Sequence, residues 1–194
     1  MKTAFIVFDR MTTLDFIGFY DAITRLKTMK FIEDFEWKIC ARGTQPGAQV
    51  TDDRGLKITA DTVGESLAGY DLLFIPGGFG TRPLQHDRAF VDWIGSAQTV
   101  PLKTSVCTGA LLLGAAGFLQ GRRATTHPSA YQELEPYCAT VVPQRIVDEG
   151  NIVTGGGVST SIDLGLHLVE RLAGAEARAR IAKQMDYPYR HPLG

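Results

Sequence analysis

Two short apolar runs, AFIVF (4–8) and YDLLFI (70–75), and two further strand-like stretches, EWKICA (36–41) and KTSV (103–106), are separated by stretches with helical spacing. Runs of this length are strand-sized. A run that is apolar at consecutive rather than alternate positions suits a strand buried on both faces. Between the runs, Phe16, Phe19, Ile23 and Leu26 mark a helix over 15–27, and 87–97 is amphipathic. Strands alternating with helices predict an α/β sandwich: a mainly parallel central sheet with helices on both faces. With 194 residues, 44% of them hydrophobic, the chain is expected to build one domain over 1–194.

The remaining segments add detail to that frame. Residues 50–59, turning at DDRG, and 146–154, turning at DEGN, read as hairpins and are expected to add antiparallel strands at the sheet edges. Further helices are expected directly after Cys107, over 129–137, 159–172 and 174–185. The first of these would contain Gly109, Gly114 and Gly117. The tail DYPYRHPLG (186–194), with two prolines, is expected to leave the core as an extended arm.

Charge and composition exclude several function classes. Twenty basic residues against 21 acidic ones give a net charge of −1, with no basic block to meet nucleic acid. Arg122-Arg123 fits a solvated turn. No run reaches the length of a membrane helix or a secretory leader core, so a cytoplasmic location is expected. The three cysteines, Cys40, Cys107 and Cys138, then read as reduced thiols without a CxxC pair. Cys40, inside a strand, reads as a packing residue. His86, His127, His167 and His191 lack metal-ligand spacing, so no metal is expected. Neither GxGxxG nor GKS/GKT occurs, and no nucleotide site is expected.

In open α/β sheets, ligands collect beyond the carboxyl ends of the strands. Asp15, PGGFG (76–80) and Cys107 all fall there. In SVCTG (105–109) a small residue stands two before the cysteine and a glycine two after it. A sharp strand-to-helix turn needs that spacing, and it is the layout of a nucleophile elbow with cysteine in place of serine. A helix N-terminus there would lower the thiol pKa. The pattern alone leaves a nucleophile and a buried packing cysteine equally open.

The glycines of PGGFG suit either an ordinary tight turn or an oxyanion pocket, in which amides of Gly77 or Gly78 join that of Thr108. Asp15 suits either a helix cap or an acid/base group beside the sulfur. His127, in RATTHPSA, suits either a Cys–His pair or a turn held by Pro128. Gly156, in the run 155–157, suits either close packing or a pocket wall. His167 reads as a packed helix residue.

On these residues the chain resembles the ThiJ/PfpI superfamily, the group around the Parkinson-associated DJ protein. The likeness rests on TSVCTGALLLGAAGFLQGRRATTH, PGGFG and IVTGGGVSTSIDLGL, and covers about residues 3–187. Within the superfamily, LDFIGFYDAI, with aspartate where many members carry glutamate, is similar to the first helix of bacterial isocyanide hydratases. That branch also includes sensor domains of AraC-type regulators; without an appended DNA-binding segment, an enzyme is the expectation.

The resemblance implies a flavodoxin-like fold, a homodimer, a small-molecule substrate and no cofactor. It implies Cys107 as the thiolate attacking an isocyanide, Asp15 as the proton carrier, and Gly78, Gly77 and Thr108 as orienting groups. His127 and Gly156 would line the pocket. Pro128-Ser129 departs from the hydratase pattern, which has an aromatic there. The competing readings are another enzyme of the superfamily (amidase or hydrolase, glyoxalase, deglycase) and a redox sensor whose Cys107 oxidises.

Overall fold

The computed structural model describes residues 1–43 and 47–188. In chain order the elements are β1 (Lys2–Val7), α1 (Thr13–Thr28), β2 (Glu36–Ala41), β3 (Gln49–Thr51), β4 (Lys57–Thr59), β5 (Thr62–Val63), β6 (Leu72–Ile75), α2 (Thr81–Leu84), α3 (Arg88–Gly95), β7 (Leu102–Val106), α4 (Gly109–Ala115), β8 (Arg123–Ala124), α5 (Tyr131–Leu134), β9 (Thr140–Val141), β10 (Ile146–Asp148), β11 (Ile152–Gly155) and α6 (Thr160–Gln184). Short 3₁₀ turns flank α5 and follow α3.

Seven strands form the central sheet in the order β10-β11-β7-β6-β1-β2-β5. Every neighbour is parallel except β10, which runs antiparallel at one edge. This is the mainly parallel α/β sheet expected from the alternating runs. The chain winds one way from β1 through β2 to β5, then the other way from β6 through β7 to β11. The order therefore reverses between β1 and β6, where open sheets of this kind leave a crevice.

The core forms where the apolar runs meet the helices. Phe5 of β1 and its register partner Phe74 of β6 face α1. Phe19 stacks on Phe74 at 3.9 Å, and Phe16 and Tyr20 pack edgewise or tilted on Phe5. Such ring pairs add roughly 0.5–1.5 kcal/mol each beyond their buried area. They fix α1 to the sheet, and α1 carries Asp15.

The polar strand β7 stays buried because its groups find partners. Lys103 Nζ donates to the Val100 carbonyl at 2.6 Å and lies over the Phe118 ring. Thr104 Oγ1 donates to the Val153 carbonyl at 2.8 Å.

Three expectations are corrected. The first hairpin, β3–β4, is not an edge addition but a separate two-stranded sheet. Contacts to the segment after β1 draw it away: Arg10 N–H donates to the Thr51 carbonyl, and Thr13 Oγ1 donates to Asp52. The edge next to β2 is instead closed by β5. The helix after Cys107 ends before Gly117. At φ 84° this glycine closes the helix, with Gly117 N–H bonded to Gly114 and Phe118 N–H to Leu113. In the expected arm, Tyr187 packs back on the core and donates to Asp163 Oδ1 at 2.6 Å, because that buried carboxylate needs donors. Residues 189–194, with His191, lie outside the described residues. Helix α6 does break at Gly174, as the two expected helices require. Among the described residues no helix is long and apolar enough to cross a membrane.

Candidate active site

Cys107 stands at the carboxyl end of β7, directly before α4, in the turn the SVCTG spacing predicts. Its φ is +55°, a left-handed conformation that costs a non-glycine residue about 1–2 kcal/mol. Bonds on both sides hold it there. Its N–H donates to the Gly156 carbonyl at 2.7 Å and the Gly155 carbonyl at 3.1 Å. Its carbonyl accepts from Thr126 Oγ1 at 2.8 Å. The glycine two residues on is required by space: a Cβ at Gly109 would lie 2.4 Å from the Ile75 carbonyl oxygen.

Asp15 meets this elbow from the first turn of α1. The cap position of that helix is Thr12, so Asp15 is not its cap. Its side chain is fully buried. Oδ2 accepts from Gly77 N–H at 2.9 Å, and Oδ1 has no hydrogen-bond partner. The carboxyl and the Cys107 side chain border the same small space at Gly77, and each shifts the titration of the other. Gly77 sits between the two groups. A Cβ there would come within 2.6 Å of Thr108 N, 2.7 Å of Cys107 Cβ and 2.9 Å of Asp15 Oδ2.

The glycine turn is therefore used differently from the expected oxyanion pocket. The Gly77 amide is taken by Asp15, and the Gly78 N–H donates to Thr108 Oγ1 at 2.9 Å. Both amides bind protein groups, because the turn must hold a buried carboxyl and the start of α4 together. The Thr108 backbone N–H faces the sulfur of Cys107.

The electrostatics also depart from expectation. Burial pushes the Asp15 carboxyl up to about 7; the hydrogen bond from Gly77 N–H and the neighbouring Cys107 thiol offset part of that effect. The Cys107 thiol is pushed up to about 12 rather than lowered, first by burial and then by the Asp15 charge. The Thr108 amide and hydroxyl pull it down, but not enough. A seven-residue helix behind a cysteine that is 5% exposed does not outweigh desolvation beside a carboxylate. Two negative charges in contact are disfavoured. A thiolate can form here when Asp15 takes the proton, since the repulsion then vanishes.

Cys107 opens into a cleft of about 180 Å³, lined also by Thr12, Gly78, Phe79, Arg82, Thr108, His127, Ser129 and Val158. His127 shares this cleft but is not hydrogen-bonded to Cys107; its Nδ1 accepts from Ser129 N–H at 3.2 Å. Gly156 is not in the lining. It serves the elbow, accepting from Cys107 and donating to the Arg145 carbonyl at 2.9 Å. Cys40 is buried, as read from the sequence, and Cys138 is partly buried. Sequence reasoning missed Arg82, Phe79, Thr12, Val158 and the elbow-holding Thr126. Phe79 and Arg82 lie in or just after PGGFG, and Thr126 lies beside His127, so proximity to those motifs was the available signal.

The sequence profile of the DJ-1/PfpI family matches residues 1–171. The isonitrile hydratase of Pseudomonas putida is 36% identical over 189 residues, covering 96% of this chain and 78% of that protein. The HTH-type transcriptional regulator CdhR of Pseudomonas aeruginosa is 30% identical over 87% of this chain, which spans half of the regulator's length. A crystal structure of a ThiJ/PfpI family protein from Pseudomonas syringae superposes with a TM-score of 0.86 at 28% identity, over 98% of this chain and 76% of that one.

Proposed function

The chain belongs to the DJ-1/PfpI family, and on that premise we propose that it is a cofactor-free isocyanide hydratase with Cys107 as nucleophile and Asp15 as proton carrier. The observation that carries this reading is the contact of the two buried groups, with the carboxyl held to about 7. A carboxyl of that pKa can take and return a proton near neutrality. The 36% identity to an isonitrile hydratase adds the substrate class.

The thiol proton passes to Asp15 as Sγ attacks the terminal isocyanide carbon. Asp15 returns that proton to the same carbon, giving a thioimidate, S–CH=N–R. Its carboxylate then takes a proton from water while the hydroxyl adds to the carbon, and passes the proton to nitrogen. The C–S bond breaks, the hydroxyl proton returns to the Asp15–Cys107 pair, and the N-substituted formamide leaves. One isocyanide and one water are consumed. The Thr108 amide beside the sulfur supports the charge that crosses between sulfur and substrate.

The same reading makes the protein a homodimer. Leu14 and Ile17, 53% and 43% exposed on α1, give that helix an apolar outer face suited to a second copy. The test is formation of a formamide from an aryl isocyanide by purified protein. Wild type should turn over at least about a thousandfold faster than Cys107→Ala. Equal rates would end the hydratase reading.

A further inference from the structure

Among the described residues, Arg82 is the one lysine, arginine, aspartate or glutamate lining the cleft over Cys107. Its guanidinium has five N–H donors. Among the described residues its side chain makes one hydrogen bond, from Nη2 to Glu133 Oε1 at 2.8 Å. The guanidinium carbon lies over the Phe79 ring, 5.5 Å from its centroid. Stacking on an aromatic face is a favourable orientation for a guanidinium and leaves its edge donors open.

His127 adds a second donor. Nδ1 lies 2.8 Å from Ser129 Oγ, which can either donate or accept, and 3.2 Å from the Ser129 backbone N–H, which can only donate and donates to Nδ1. The neutral ring therefore carries its proton on Nε2. That nitrogen lies near Gly157, and His127 lines the same cleft as Arg82. Among the described residues no aspartate or glutamate lines the cleft. Asp15 is fully buried behind the elbow, and Glu133 is engaged by Arg82.

We propose that Arg82 and the Nε2–H of His127 form a subsite for a carboxylate, so that the natural substrate carries that group beside its reacting carbon. A carboxylate there would accept from the guanidinium and the imidazole while the rest of the molecule lies against Phe79 and Val158. As a statement about an isocyanide acid this rests on the hydratase reading. The subsite itself does not, and it can be tested without turnover.

Iodoacetate and iodoacetamide both alkylate a thiolate with loss of iodide, and they differ chiefly in the carboxylate. The rate of each at Cys107 is followed by peptide mass spectrometry, and their ratio is compared with that of 2-mercaptoethanol in the same buffer. Wild type should favour iodoacetate over the free-thiol ratio by about tenfold, the scale of one charged hydrogen bond. Arg82→Gln should remove that preference, Glu133→Gln should enlarge it, and added salt should reduce it. Arg88→Gln, a remote and exposed control with the same change of charge, should leave it unchanged. A wild-type ratio equal to the free thiol, a ratio unmoved by Arg82→Gln, or an equal fall in Arg88→Gln would overturn the subsite. The wild-type preference with no isocyanide turnover would instead retain the subsite and discard the hydratase.

Discussion

The Asp15 carboxyl lies beside the Cys107 side chain across the space at Gly77, and its negative charge helps push that thiol up to about 12. α1 delivers one group and the turn after β7 the other, and the Gly77 amide holds the carboxyl in place. Removing the charge while keeping the shape should lower the thiol pKa. Asp15→Asn is therefore expected to move the pH profile of Cys107 alkylation by iodoacetamide to lower pH. At the same time the variant loses the proton carrier, and turnover should fall by about 10²–10⁴-fold. An unchanged alkylation profile would remove Asp15 from the sulfur's electrostatics.

The buried carboxyl also makes stability depend on pH. The folded-state pKa of Asp15 is raised from 3.8 to about 7. Below about pH 4 both folded and unfolded forms are protonated, and its contribution is fully present. As pH rises through about 7 that contribution is lost, because the folded state must then ionise a buried acid. Asp15→Asn lacks this loss. The variant is expected to melt higher than wild type at pH 8, by up to roughly 4 kcal/mol, with the gap closing towards pH 4. Thermal unfolding at the two pH values checks the sign.

Strain at the elbow gives a third test. With φ at +55°, Cys107 should be less comfortable as alanine than as glycine. Cys107→Gly is expected to be more stable than Cys107→Ala by about 1 kcal/mol. Chemical denaturation of the pair measures this, and the reverse order would remove the strain.

Gly77→Ala tests the space between the two reactive groups. The added Cβ would press on Thr108 N and Cys107 Cβ, both closer than 3 Å. Overpacking of this kind costs about 1–3 kcal/mol. The variant should also lose most turnover, since Asp15 and Cys107 can no longer keep their contact. Wild-type activity in a stably folded Gly77→Ala protein would contradict the placement.

Much of the frame was legible because burial on both faces writes itself into consecutive apolar residues, as in AFIVF and YDLLFI, and strand-sized runs such as EWKICA fall between helical stretches. AFIVF, EWKICA and YDLLFI all became strands of the central sheet, and the SVCTG spacing became a sharp turn. The short strands β5, β8 and β9 were not legible, since two residues carry no periodicity. The displaced hairpin β3–β4 depends on bonds to Arg10 and Thr13, which lie far away in sequence. Within the site, residue types pointed to Asp15, Cys107 and the glycine turn, but not to how they bond. That the Gly77 amide serves Asp15, and that burial outweighs the helix end at Cys107, follow only from three-dimensional packing. Arg82 had no motif of its own and enters through the position of α2.

The central claim is that Cys107 bonds covalently to the isocyanide carbon while Asp15 carries the proton. Rapid quenching of wild-type protein mixed with an aryl isocyanide, followed by peptide mass spectrometry, tests it most directly. The expected result is a transient adduct of the isocyanide's mass on the Cys107 peptide, absent from Cys107→Ala, which also forms no formamide above background. Formamide production by Cys107→Ala at the wild-type rate, or wild-type turnover with no adduct on Cys107 at any quench time, would contradict the account.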